Sequence, residues 1–204
     1  MISTNVRIVR ALLELASDDP MRYYLCGLYC DSVHGVIVAT DGRALVVYKP
    51  KLSAICEASR IVPREALEAA TKGAKPGDSV HIEADRITTT RGASARVVEY
   101  VPGEGRFPEW ARILPRDCGA ESRTCYDPAL VMALQKVFDA VADGAPDNPA
   151  VILHNKVPNS AALVVSLSTD STAFGVVMPF LTDVEGSSLF DAITGANGRP
   201  EEAA

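Results

Sequence analysis

Apolar residues recur at helical spacing in three places along the chain. Over 5–17, Val6, Ile8, Val9, Leu12, Leu13, Leu15 and Ala16 fill a broad arc at ~100° per residue, leaving Arg7, Arg10, Glu14 and Ser17 on the narrow remaining face. Ser3 and Thr4 precede this segment as candidate N-caps. A second helix is predicted from Pro63, a favoured first helical residue, to about Lys72 ahead of Gly73. A third starts at Asp127-Pro128 and runs to about Val141. Leu130, Val131, Leu134, Val137, Phe138 and Val141 share one side of it, and Asp143-Gly144 ends it.

Each predicted helix is followed by three short segments rich in β-branched residues and punctuated by Gly, Asp and Asn. These are 22–30, 33–39 and 44–48 after the first helix, 79–84, 86–90 and 93–101 after the second, and 150–154, 161–168 and 172–178 after the third. Short strands at 60–62 and 122–126 lead into the second and third helices. With helix starts at 5, 63 and 127, the spacings are 58 and 64 residues, so a unit of strand, helix and three strands occurs three times. The connections are mostly of hairpin length. The expected class is therefore α+β, with mostly antiparallel sheets and helices on one face.

Composition narrows the function classes. The 204 residues carry a net charge of -6, which excludes a wholly basic nucleic-acid binder but not a basic patch on an acidic body. No apolar run approaches the ~18 residues of a transmembrane helix. The start, Met1-Ile-Ser-Thr-Asn-Val-Arg, lacks a signal-peptide layout, so a cytoplasmic protein with no membrane association is expected. The five cysteines (Cys26, Cys30, Cys56, Cys118, Cys125) form no CxxC, and His34, His81 and His154 are far apart. Cys26 and Cys30 are placed on one face of a strand. Reduced, apolar thiols fit this pattern better than a metal or redox site. There is no nucleophile elbow, phosphate loop or zinc signature, so no metal, cofactor or catalytic residue is expected.

A set of short motifs then points to one family. Arg22-Tyr-Tyr-Leu-Cys-Gly followed by Val38-Ala-Thr-Asp-Gly-Arg-Ala-Leu resembles the R-Y-Y-L-x-G and A-T-D-G-H-R-L-A segments in the middle domain of the bacterial DNA polymerase III beta subunit, the sliding clamp. Arg60-Ile-Val-Pro-Arg-Glu resembles that family's V-P-R-K helix start, and Gly105-Arg-Phe-Pro-Glu-Trp with Leu114-Pro115 resembles its G-R-F-P-D-Y segment. Val176-Val-Met-Pro-Phe resembles its C-terminal V-V-M-P-M. The resemblance covers about residues 5–182. It departs from the family at Arg43 and Ala44, where His and Arg are common, and in length. A typical clamp subunit holds six such units and this chain three. The implied organisation is 1–116 as a middle-domain-like pair of units, 117–182 as half of a last domain, and 183–204 as a flexible tail.

The resemblance implies a non-catalytic clamp subunit of the polymerase III holoenzyme, a processivity factor. Such proteins encircle duplex DNA without sequence preference and receive short Leu-Phe-type peptides from polymerases and other partners. Matched motif by motif, the peptide pocket would use Leu25, Thr40, Gly42, Arg43, Leu45, Pro115, Val176, Met178, Pro179 and Phe180. For Leu25, Leu45 and Val176 simple core packing is an equal alternative, and Gly42 suits a positive-φ turn whatever the function. DNA-facing candidates are Arg7, Arg10, Arg64, Lys72, Lys75 and Lys136, with Glu14, Glu65, Glu68 and Asp139 close by; a solvated face of mixed charge is the alternative. Trp110 is read as a packing residue.

The alternative function is a clamp-derived regulator or decoy that binds clamp partners without encircling DNA. A cysteine-based enzyme is a third, remote reading. Four chains of three units would restore the twelve units of a full ring, so a homo-oligomer is expected. The third unit, lacking its usual partner, would expose an apolar face, and a dimer pairing two such units competes with the ring. In the tail, Leu189-Phe190 matches the end of the family's partner peptides. Either a short helix over 187–193 in a frayed terminus or a built-in ligand fits that segment.

Overall fold

The computed structural model describes residues 1–50, 52–53, 58–114, 124–142, 149–154, 157, 160–166 and 172–179. Pro115, Phe180, Cys56, Cys118, the helix stop at Asp143-Gly144 and the tail 183–204 lie outside them. Among these described residues all strand pairings are antiparallel, in two sheets backed by three α-helices, which is the α+β class expected.

Helix α1 spans Val6–Leu13 and its cap is Asn5, whose Oδ1 accepts the Ile8 N–H at 2.9 Å. Ser3 and Thr4 are not caps. They belong to a strand, β1 (Ile2–Asn5), that the helical pattern masked, and Ser3 Oγ bonds His81 Nδ1 at 2.6 Å across the pairing. Beyond Leu13 the chain tightens into i→i+3 bonds, Leu15 N–H to Leu12 O and Ala16 N–H to Leu13 O. Helix α2 (Arg64–Thr71) follows Pro63, and α3 (Pro128–Val141) is capped by Asp127, which accepts the Ala129 N–H.

The segment 22–30 is not one strand. Asp19 accepts the Met21 N–H, Pro20 follows as a helical start, and Pro20–Leu25 winds into a 3-10 helix. Only then does β2 begin, at Gly27–Asp31. Cys26 and Cys30 therefore do not share a strand face. Next come β3 (Val36–Thr40), β4 (Ala44–Tyr48), β5 (Leu52–Ser53), β6 (Arg60–Pro63), β7 (Ser79–Ile82), β8 (Arg86–Arg91) and β9 (Ser94–Glu99). The third unit supplies β10 (Ala150–Leu153), β11 (Ala162–Ser166) and β12 (Ala173–Val177).

Five strands run in the order β5-β1-β7-β8-β9, and seven in the order β10-β11-β12-β4-β3-β2-β6. The third unit thus continues the first unit's sheet, with Leu45 opposite Val176 and Val46 opposite Gly175. Its helix is not left bare. α3 packs on α1 and β12, and Leu134, Val137 and Phe138 are essentially inaccessible to solvent. The expectation of an exposed apolar face is corrected: that face is covered within the chain.

Strands β3 and β4 are buried on both sides, and their alternation divides two cores. Ile37, Ala39, Ala44 and Val46 face the helices, whereas Val36, Val38, Leu45 and Val47 face outward. The outer side is covered by the 102–114 segment, from which Phe107 and Trp110 insert. The candidate site forms where that cover meets β4 and β12.

Candidate functional site

The β3–β4 turn is built from its own side chains. Thr40 Oγ1 donates to the Ala44 carbonyl at 2.6 Å and accepts the Gly42 N–H at 3.0 Å. Asp41 Oδ1 accepts the N–H groups of Arg43 and Ala44 at 2.8 and 2.9 Å. Gly42 takes φ +89°, a region that penalises any side chain. From the 3-10 helix, Arg22 Nη1 donates to the Asp41 carbonyl at 3.1 Å, joining two motifs that are separate in sequence. Arg43 leans on Asp41 at 3.1 Å and lies 4.0 Å from Asp127 at the start of α3. The Met178 N–H donates to the Arg43 carbonyl at 2.8 Å, which brings the end of the third unit to the turn.

These contacts enclose a cavity of about 200 Å³. Leu25, Thr40, Gly42, Arg43, Leu45, Val176 and Met178 all line it, seven of the ten residues picked from sequence. Pro179 follows Met178 without lining it. Leu25, Leu45 and Val176 are at most 4% exposed, so they belong to the outer core and form the cavity floor at once. Met178 is 41% exposed and stands at the mouth. Sequence reasoning missed the opposite wall, made by Phe107, Pro108, Glu109, Trp110 and Ile113. The Gly105-Arg-Phe-Pro motif flagged that segment, but only its place in the fold shows which side chains turn inward.

Phe107, Pro108, Glu109 and Trp110 also line a wider groove of about 550 Å³, together with Tyr29, stacked on Phe107 at 4.5 Å, and Arg60, Arg106 and Arg112. The Trp110 indole N–H donates to Asp31 Oδ2 at 3.0 Å, and His34 Nδ1 bonds the same oxygen at 2.8 Å. Burial pushes the Asp31 carboxyl up, but hydrogen bonds from His34, Trp110 and the backbone N–H groups of His34 and Val33 outweigh it and hold the carboxyl below its usual range.

The DNA-facing candidates are distributed differently. Arg64 Nη2 donates to the carbonyls of Leu13 and Ala16, both at 2.7 Å, at the end of α1. Arg10 Nη2 donates to Thr71 and Ala74 at the end of α2. Lys136 pairs with Glu14 at 2.6 Å. Lys72 and Lys75 are exposed, and Arg7 is half-buried. The groove between α1 and α2 sets Arg10, Arg64 and Lys72 beside Glu14, Glu65 and Glu68.

Burial pushes the Cys26 thiol up, away from the thiolate a nucleophile needs. Among the described residues no three His, Cys, Asp or Glu side chains are grouped to hold a metal ion, and no helix is long and apolar enough to cross a membrane.

Architecture and topology together define a class: the α+β fold of the bacterial sliding clamps. The chain has this clamp-like fold. It superposes on the DNA polymerase III beta subunit of Pseudomonas aeruginosa with a TM-score of 0.53 at 19% identity, covering 89% of this chain and 66% of that one. For the DNA polymerase sliding clamp of Caulobacter crescentus the values are 0.55, 19%, 89% and 65%. For a Bartonella birtlesii sliding clamp bound to griselimycin they are 0.61, 15%, 89% and 66%. The chain therefore spans just under two thirds of the length of these clamps. No protein-family model and no curated protein matches the sequence.

Proposed function

We propose that this chain is a non-catalytic, clamp-type accessory of DNA replication in the cytoplasm, taking short Leu-Phe-type peptides from a polymerase or other partners into the cavity beside Arg43 and Met178. The observation that carries this reading is convergence. Seven residues from three distant segments, chosen by motif, line one apolar cavity that a short linear peptide's anchor side chains could fill. By motif match Pro115, Pro179 and Phe180 belong to the same peptide-binding set. In the fuller version, several copies close around duplex DNA with Arg7, Arg10, Arg64, Lys72, Lys75 and Lys136 toward the phosphates.

A specific observation favours the alternative, a regulator or decoy that binds clamp partners without encircling DNA. Arg10, Arg64 and Lys136 from that set are engaged within the chain, and the protein is acidic overall. Calorimetry with a Gln-Leu-Ser-Leu-Phe peptide tests the pocket. Binding by the wild type that falls about fivefold or more in Met178→Ala supports it, because one anchor contact in a desolvated pocket is worth roughly 1–3 kcal/mol. Unchanged affinity in that variant refutes it. Retention on circular duplex DNA, lost when the circle is cut, separates the encircling version from the decoy.

A further inference from the structure

The two oxygens of Asp31 have separate tasks. Oδ1 accepts the N–H groups of Val33 and His34 at 2.8 and 3.2 Å and so shapes the β2–β3 turn. Oδ2 accepts the Trp110 indole N–H and His34 Nδ1. Asp31 is 5% exposed, so an acceptor has been buried 79 residues away in sequence from the indole it holds. Trp110 lines both the small cavity and the wider groove, with the His34 ring edge-on at 5.2 Å.

We infer that Asp31 is a positioning residue for the peptide pocket: its Oδ2 holds the Trp110 indole as the cavity wall, and the pocket's shape depends on that bond. The inference rests on the peptide-binding reading above. Asp31 touches no ligand itself; its effect passes through Trp110. A chain without the bond keeps its turn and fold but presents a wider, wetter pocket.

Asp31→Asn is the discriminating variant. The amide oxygen can still accept the two turn N–H groups, while an N–H₂ replaces Oδ2 and faces the indole donor. Trp110 is the chain's single tryptophan, so its emission reports the bond directly. Asp31→Asn is expected to shift that emission to longer wavelength, leave the far-ultraviolet circular dichroism unchanged, and weaken the Gln-Leu-Ser-Leu-Phe peptide about fivefold or more. Trp110→Phe removes the N–H and keeps an apolar wall, so in that background Asp31→Asn is expected to cost no further affinity. Equal loss in both backgrounds, or wild-type affinity and emission in Asp31→Asn, overturns the inference and leaves the pocket reading standing. A wild-type chain that binds no peptide overturns both.

Discussion

Asp31 and Asp78 are two carboxylates whose hydrogen bonds in the fold favour the charged form. Asp78 takes Arg91 in a forked pair, with Nε at 2.8 and 3.1 Å and Nη2 at 2.6 Å, and also accepts the Lys75 N–H. Those bonds, the Arg91 one foremost, hold its carboxyl below the usual range, as the bonds to Asp31 do for that residue. A carboxyl lowered in the fold adds stability that is complete above its unfolded value of about 3.9 and is lost as pH falls toward the folded value. The urea midpoint is therefore expected to hold near neutrality and to drop below about pH 4, less steeply in Asp31→Asn. A midpoint that rises on acidification contradicts this assignment. Neither carboxylate was legible as special in the sequence, where Asp31 reads as an ordinary turn residue; its indole partner is brought to it only by the covering segment. Gly27 was half legible. It closes the Arg22-Tyr-Tyr-Leu-Cys-Gly motif, yet its reason lies in packing: a Cβ there would run into the Val62 carbonyl of β6.

Among the elements, the helices were read well and the chain around them less so. α3 runs over Pro128–Val141 as its apolar spacing, Asp127 and Pro128 indicate, because all three signals are local. β1 was missed because its four residues abut a strong helical pattern and earn their strand only by pairing with β7. The 3-10 helix at Pro20–Leu25 was missed because Tyr23, Tyr24 and Leu25 have strand propensity that Asp19 and Pro20 override. The cations of α1 and α2 carry a different lesson. Arg10 is exposed and Arg64 half-buried, and each reaches carbonyls at the end of the other helix. Such carbonyls lack intrahelical partners and lie at the negative end of the dipole. Arg64→Ala is expected to lower unfolding free energy by roughly 1.5–3 kcal/mol, the range for hydrogen bonds to a charged group. Thermal or urea unfolding checks it; a stability unchanged from wild type would return Arg64 to the DNA-facing set.

For the whole molecule, the third unit is the decisive feature. Its helix is covered by α1 and its last strand by β4, so the chain needs no partner to hide an apolar face. Strand β9 ends its sheet with its side chains mostly exposed, an edge open to pairing with another chain. Light scattering at micromolar concentration decides: the encircling version predicts a mass several times 21.7 kDa, whereas a mass of 21.7 kDa removes the ring and favours the decoy. The pocket is independent of that outcome, since one chain contributes both of its sides. It was legible in advance where motifs marked it, from Leu25 to Met178, and illegible where the covering segment folds over it. The most direct test is a methyl NMR titration of the wild-type chain with the Gln-Leu-Ser-Leu-Phe peptide. Saturable shifts are expected at Met178, Leu25, Leu45 and Val176 while Met132 and Leu153, which do not line the cavity, stay put. Saturable shifts at Met132 or Leu153 without movement at Met178, or no shifts at all, would contradict it.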